Sequence, residues 1–159
     1  MQKLIKLIST CFYTGYSPVV PGTLGSLAGL LLYILIGKDF RFYTGISIFL
    51  LIVGFLISGR AENIFGIKDD RRIVIDEVCG MMLSLLFIPY EKLYGSLKTS
   101  VTLSLSIPNY CAGFLLFRLF DICKPYPMRK LELMPGSAGI MLDDIVAALY
   151  TNLVLRIIT

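Results

Sequence analysis

IVIDEVCGMM, residues Ile73–Met82, sets an acidic pair, Asp76 and Glu77, at the head of an apolar run. GIMLDDIVAA, Gly139–Ala148, does the same with Asp143 and Asp144. Both pairs stand in a chain that otherwise avoids charge. A carboxylate at the centre of a bilayer costs roughly 2.5–3.5 kcal/mol, and neighbouring like charges add repulsion. Four carboxylates so placed call for a counter-charge, and a divalent cation supplies it with the fewest groups.

The surrounding sequence says what kind of chain carries them. Of 159 residues, 56% are hydrophobic and 16% charged, with a mean hydropathy of +0.78, outside the range of ordinary soluble domains. Leu7–Gly37, Phe42–Gly59 and Thr99–Phe117 carry no charged residue and reach membrane length. The chain reads as all-α: a multi-pass helical membrane protein of about six apolar elements, some short or re-entrant, in one bundle and one domain over residues 1–159. The alternative is a soluble all-helical bundle with unusually apolar helices, since Val78–Tyr90 and Ile145–Leu155 are short for spans.

The expected elements are Lys3–Tyr13, lying in or dipping into the membrane, then a helix from Thr23 to about Ile36, then Phe42–Phe65. Ile75–Ile88 follows, then Thr99–Cys123 with a kink at Pro108, and last Gly139–Ile158. If each element crosses, Gly15–Thr23, Gly59–Glu77 and Arg118–Asp144 emerge on one face. Nine of the eleven acidic residues lie there, leaving Asp39 and Glu91 on the other. Lys and Arg divide eight to seven, so positive charge does not orient the chain.

Several function classes drop out. There is no histidine, which removes Ser-His-Asp and Cys-His hydrolases, His-nucleophile phosphatases and ordinary zinc sites. Cys11, Cys79, Cys111 and Cys123 have no CxxC spacing and sit in apolar surroundings as small hydrophobes. The net charge of +4 suits an anionic lipid surface or ordinary positive flanking of spans. Scattered basic residues with no aromatic-basic stripe speak against nucleic acid.

The remaining polar residues complete a phosphate chemistry. In FRLFDICKPYP, Phe117–Pro127, Arg118 and Asp121 share a helix face. Lys124 precedes a proline, which disfavours helical backbone there and lets its side chain leave the axis. An arginine fork and a lysine point charge suit phosphate oxygens. The plainer alternative is a local Arg118–Asp121 ion pair with Lys124 as an interfacial anchor. For the acidic pairs it is complementation of helix dipoles. Oxygen-only ligands favour Mg2+, with Asp76, Glu77, Asp121, Asp143 and Asp144 as its ligand set. SPVVPGTLGSLAG, Ser17–Gly29, opens a helix with Thr23 as the expected N-cap and free N–H groups for an anion. Asp69–Arg72 reads as a solvated charged loop, and Met81-Met82 as core.

Together these four stretches resemble the phosphatidylglycerophosphatase A family, in order and spacing, from Ser17 to Ala148. The resemblance implies a membrane-bound, Mg2+-dependent phosphatase that converts phosphatidylglycerophosphate, an anionic phospholipid, to phosphatidylglycerol. It places the chain in the bacterial cytoplasmic membrane with the acid-rich face cytosolic, where the substrate is made. It assigns Asp76, Glu77, Asp121, Asp143, Asp144 and Lys124 to catalysis, the five carboxylates also to metal, and Thr23, Arg118 and Lys124 to substrate phosphate. Asp69 matches an acid upstream of the first pair. Ser137 and Ala148 replace common glycines, and Asp70 with Arg71-Arg72 replaces a less charged turn. Two other classes use similar residues: a Mg2+-dependent lipid head-group transferase, whose DG-x-x-AR run is absent, and a non-catalytic cation-binding membrane scaffold.

Overall fold

The acidic pair Asp76-Glu77 opens the most enclosed helix of the bundle. In the computed structural model, residues 1–94 and 108–159 are described, and they form helices and turns with no strand. The helices are α1 (Gln2–Ser9), α2 (Pro21–Ile36), α3 (Phe40–Phe65), α4 (Ile75–Leu85), α5 (Tyr90–Tyr94), α6 (Asn109–Cys123), α7 (Met128–Leu131) and α8 (Ser137–Ile158). A 3-10 turn, Thr14–Tyr16, lies between α1 and α2.

Helix α4 packs against α2, α3, α6 and α8. Its apolar residues Val78, Met81, Met82 and Leu85 are buried, so the Met-Met pair is core as its sequence suggests. Close approach to α2 depends on small residues. A Cβ at Gly25 would lie 2.9 Å from the Val74 carbonyl oxygen, and one at Gly29 would lie 2.7 Å from that of Val78. Both are closer than a Cβ sits in a well-packed interior. The bundle satisfies α4's last carbonyls from outside: Asn152 Nδ2 of α8 donates to Ser84 O at 2.9 Å and Leu86 O at 2.7 Å, and Tyr43 Oη donates to Met82 O at 2.6 Å. Carbonyls at a helix end have no partner within the helix, and a buried one must find a donor elsewhere.

Two helices, α3 with 26 residues and α8 with 22, are long and apolar enough to cross a membrane by length and composition. Helix α3 leaves Ile48, Phe49, Ile52 and Leu56 exposed, whereas half of α8 faces the bundle. Helices α2, α4 and α6, with 16, 11 and 15 residues, are shorter than the roughly 20 a perpendicular crossing takes.

Several boundaries differ from the sequence reading. The first helix stops at Ser9, because Cys11, Phe12 and Tyr13 turn to positive φ. Thr23 does not cap α2: Val20 occupies that position, Pro21 is the first helical residue, and Thr23 lies inside the first turn. Proline suits that first position because its missing N–H would be unpaired there anyway. At Pro108 the backbone is extended and α6 begins after it, so the proline bounds the helix there instead of kinking it. The rest of that expected element, residues 99–107, lies outside the described residues. Helices α5 and α7 were not anticipated.

The α3–α4 loop is not a freely solvated one. Asp70 is 4% exposed. Its Oδ1 accepts from Arg72 N at 3.0 Å and Nε at 2.8 Å, and its Oδ2 accepts from Nη2 at 2.6 Å. The guanidinium lies 4.1 Å from the Phe65 ring centroid, and Val74 N donates to Ser9 O at 2.9 Å, so the loop ties α1, α3 and α4 together. The Arg72 hydrogen bonds hold the Asp70 carboxyl below its usual pKa, against the opposing effect of burial. Asp70→Asn is therefore expected to destabilise the protein by about 1–3 kcal/mol. A depressed folded pKa gives stability that is fully present above the unfolded value of about 3.9 and is lost as pH falls through the folded one. Thermal unfolding in detergent should show the wild-type advantage at neutral pH and its disappearance in acid.

Candidate active site

Five carboxylates from three helices converge beside the N-terminus of α4. Asp76 and Glu77 occupy its first turn, Asp143 and Asp144 lie within α8, and Asp121 lies in the last turn of α6. One oxygen each from Asp76, Glu77 and Asp144 lies within 4.8 Å of the others. Asp121 adjoins Asp144 and is close to Glu77. Asp76, Asp143 and Asp144 are buried.

Packing brings them together. Gly80 admits α6 and α8 against α4, where an added Cβ would lie 2.6 Å from Phe117 Cζ and 3.2 Å from Asp144 Cβ. At the start of α2, a Cβ on Gly22 would run into Glu77 Oε1 and lie 3.4 Å from Arg118 Nη1. The PGT turn thus reaches the site through its glycine backbone. Thr23 itself is half-buried, and its side chain makes no hydrogen bond among the described residues.

Two cations complete the wall. Arg118 Nη1 pairs with Asp121 Oδ2 and lies 3.4 Å from Ser26 Oγ. Lys124 takes a left-handed conformation at the end of α6, with φ 43°, and its side chain turns back over the site as its place before Pro125 predicts. Its Nζ reaches Asp143 Oδ2 at 2.8 Å and Glu132 Oε1 at 3.0 Å. Burial works against the Lys124 charge, but the bonds to Asp143 and then Glu132 outweigh it and raise its pKa above the ordinary lysine value. Lys124 therefore stays protonated through the physiological range.

The polar inventory is incomplete from the protein alone. Asp76 Oδ1, Glu77 Oε2, Asp143 Oδ1 and Arg118 Nε are buried without a hydrogen-bond partner. Buried polar groups left unpaired are costly and call for a partner from outside the chain. Three orphan carboxylate oxygens fit a hard cation, and an orphan guanidinium N–H fits an anion. The set suits a phosphate ester bound beside a divalent ion.

The sequence reading thus placed all five carboxylates, Arg118 and Lys124 in one site. It missed Glu132, Ser26 and Gly22. Ser26 lies in the same PGTLGS run, four residues from Gly22 and hence on the same helix face. Glu132 carried no signal, because nothing in its spacing from Lys124 shows that the loop folds back.

The family model of phosphatidylglycerophosphatase A matches residues 7–159. A Haemophilus influenzae protein named phosphatidylglycerophosphatase A is 34% identical over 157 residues, covering 94% of this chain and 85% of that one. The Escherichia coli K12 protein of the same name is 31% identical over 147 residues, covering 91% of this chain and 77% of that one. A Bacteroides thetaiotaomicron protein, provisionally named a phosphatidylinositol-3-phosphatase, is 32% identical over 158 residues, covering 95% and 91%. No solved structure matches the chain. The protein is a phosphatase, a hydrolase of lipid metabolism. It belongs to the phosphatidylglycerophosphatase A family.

The Gly22 contact gives a test of the assembled site. Gly22→Ala should leave the protein folded, because the clashing atom is the end of a flexible glutamate. It should displace the Glu77 carboxylate and lower kcat/KM for phosphate release by up to about 10²-fold, as expected for misplacement near 1 Å. Circular dichroism beside a phosphate assay checks both halves.

Proposed function

We propose that the protein hydrolyses the phosphate monoester of phosphatidylglycerophosphate, releasing inorganic phosphate and leaving phosphatidylglycerol. The observation that carries this reading is the meeting of the Asp76, Glu77 and Asp144 oxygens within 4.8 Å, beside Arg118 and Lys124. The family assignment and the names of the E. coli and H. influenzae relatives support the substrate.

In this reading Asp76, Glu77 and Asp144 hold Mg2+, with Asp121 and Asp143 beside them. Orphan oxygens on Asp76, Glu77 and Asp143 and an all-oxygen donor set support the fit. The ion, when bound, polarises the phosphoryl group and makes a water more acidic. Arg118 presents its unpartnered Nε to a phosphate oxygen while Asp121 fixes the opposite edge of the fork. Lys124 has three N–H donors and spends two on Asp143 and Glu132, which leaves one for the phosphate. Both cations oppose the charge that builds on the phosphoryl oxygens in the transition state. Thr23 contributes through its turn, whose backbone lies beside Glu77 and Arg118. Attack by water breaks the phosphorus–oxygen bond to the terminal glycerol, which departs as a hydroxyl of the lipid product.

The helices frame a membrane setting. We place α3 and α8 across the bacterial inner membrane, with the shorter apolar helices packed beside them as partial or tilted crossings, and the acid-rich face in the cytosol. Exposed apolar side chains along α3 support this, as does the bacterial origin of the relatives.

Two experiments test these statements. Purified protein in detergent should release phosphate from phosphatidylglycerophosphate with Mg2+, stop with EDTA and recover on adding Mg2+. Glu77→Gln, Asp121→Asn and Asp144→Asn should each cut kcat strongly and non-additively while the protein still inserts and purifies. Near-normal turnover in all three would move the chemistry elsewhere. Phosphatidylinositol 3-phosphate belongs in the same assay, given the Bacteroides relative's name. For orientation, a single cysteine at Arg71 in a cysteine-free background should resist impermeant reagent applied to intact cells. Labelling from outside would reverse the topology.

A further inference from the structure

The proposed substrate carries two phosphates, the monoester that is cleaved and a diester that joins it to the lipid. The site described above accounts for the monoester alone. A second cleft adjoins it through a shared residue. Cys123, Lys124, Pro125, Tyr126, Pro127, Arg129 and Lys130 line about 380 Å³ between the end of α6 and α7. That lies within the roughly 300–1,000 Å³ of small-ligand sites.

Charge distinguishes this cleft from the others. Its lining holds three cations and no acid. The larger cleft beside the α3–α4 loop, of about 580 Å³, sets Asp69 and Asp70 against Arg71 and Arg72, and Arg72 is already tied to Asp70. Arg129 and Lys130 are exposed, and neither makes an ion pair or hydrogen bond to a side chain among the described residues. The Lys130 ammonium lies 5.0 Å from the Tyr126 ring centroid, which keeps it over the cleft. Tyr126 is itself held, since its carbonyl accepts from Tyr150 Oη at 2.8 Å. Lys124 closes the inner end, with its Nζ on Asp143.

The helix leading to the cleft carries an exposed apolar stripe. Leu115, Leu119 and Ile122 are exposed at 59%, 53% and 71%, spaced four and three residues apart, so they form one stripe along α6 that ends beside Cys123 and Lys124. An anionic head-group site at the top of an exposed apolar stripe is the shape of a phospholipid: acyl chains along the helix, phosphate among the cations.

We propose that Arg129 and Lys130 bind the phosphodiester of the lipid substrate, with its acyl chains on the Leu115–Leu119–Ile122 stripe, so that Lys124 stands between the two phosphates. The enzyme would then select lipids that carry a phosphodiester and a phosphomonoester a short polyol apart, over lipids with a monoester alone. This rests on the lipid phosphatase reading, and it adds a specificity device outside the carboxylate cluster.

The test uses the Arg129→Ala/Lys130→Ala double variant of the full chain. Both side chains are exposed, so its unfolding curve should match the wild type. Binding is measured with short-chain phosphatidylglycerol, which has the diester and no monoester. Turnover is measured on phosphatidylglycerophosphate and on phosphatidate, which has the monoester and no diester. The double variant should lose affinity for phosphatidylglycerol by about tenfold or more, and the preference for phosphatidylglycerophosphate over phosphatidate should fall by a similar factor, as for the loss of charge-assisted hydrogen bonds. Arg129→Lys/Lys130→Arg should retain most of the affinity. Unchanged phosphatidylglycerol binding in the alanine variant, or an equal fall on both substrates, overturns the proposal. If the wild type releases phosphate from neither lipid while the alanine variant still loses phosphatidylglycerol binding, the substrate reading fails and the diester cleft stands. If phosphatidylglycerophosphate is hydrolysed while binding is indifferent to both residues, the cleft fails and the substrate reading stands.

Discussion

Like charges held together in an apolar bundle are the constraint on which this structure turns. Asp76, Glu77 and Asp144 would repel one another at under 5 Å, and burial removes the water that would screen them. The fold holds them there through helix geometry. Asp76 and Glu77 share the first turn of α4, where the free N–H groups and the helix dipole favour negative charge. Arg118 and Lys124 add two positive charges at the rim. Those two do not meet every oxygen: Asp76 Oδ1, Glu77 Oε2 and Asp143 Oδ1 stay buried without a hydrogen-bond partner, and it is on these that the proposed cation site rests.

That arrangement depends on close helix packing more than on any loop. Glycines at positions 25, 29 and 80 bring α2, α6 and α8 against α4 until backbone and side chains touch. A larger residue at any of them would push a helix outward and separate carboxylates that must converge. The same logic explains the outside support of α4's C-terminus. With Asn152 and Tyr43 satisfying its last carbonyls, an 11-residue helix can stay buried, although it is too short for much intrinsic stability.

The polar loops then divide the labour. The α3–α4 loop uses Asp70 and Arg72 to fasten α4's entry to α1 and α3, so its charges serve structure. In the α6–α8 connection Arg129 and Lys130 make no ion pair among the described residues, and Lys124 turns inward onto Asp143. Each holds three basic residues, against two acids in the α3–α4 loop and one, Glu132, in the α6–α8 connection, where that acid pairs with Lys124.

Sequence by itself determined a good deal. An apolar chain with acid pairs at the heads of apolar runs implied helices whose carboxylates need a cation, and the absence of histidine removed most alternatives. The proline after Lys124 implied that its side chain would leave the helix, because the clash is local and independent of tertiary context. The helices form, and Lys124 leaves the axis of α6, because both inferences rest on hydrophobic patterning and covalent geometry. What only the tertiary structure decided was partnership. Thr23 looked like a cap by residue type, but Val20 and Pro21 set the start of α2 and left Gly22 against Glu77. Asp70 looked solvated by its charged neighbours, but the loop folds it inward onto Arg72. Glu132 joins Lys124 only because the connection to α8 returns over the site. Which carboxylates face one another, and which cations remain free, follow from helix packing between residues as far apart as 77 and 144, and no local pattern encodes that distance.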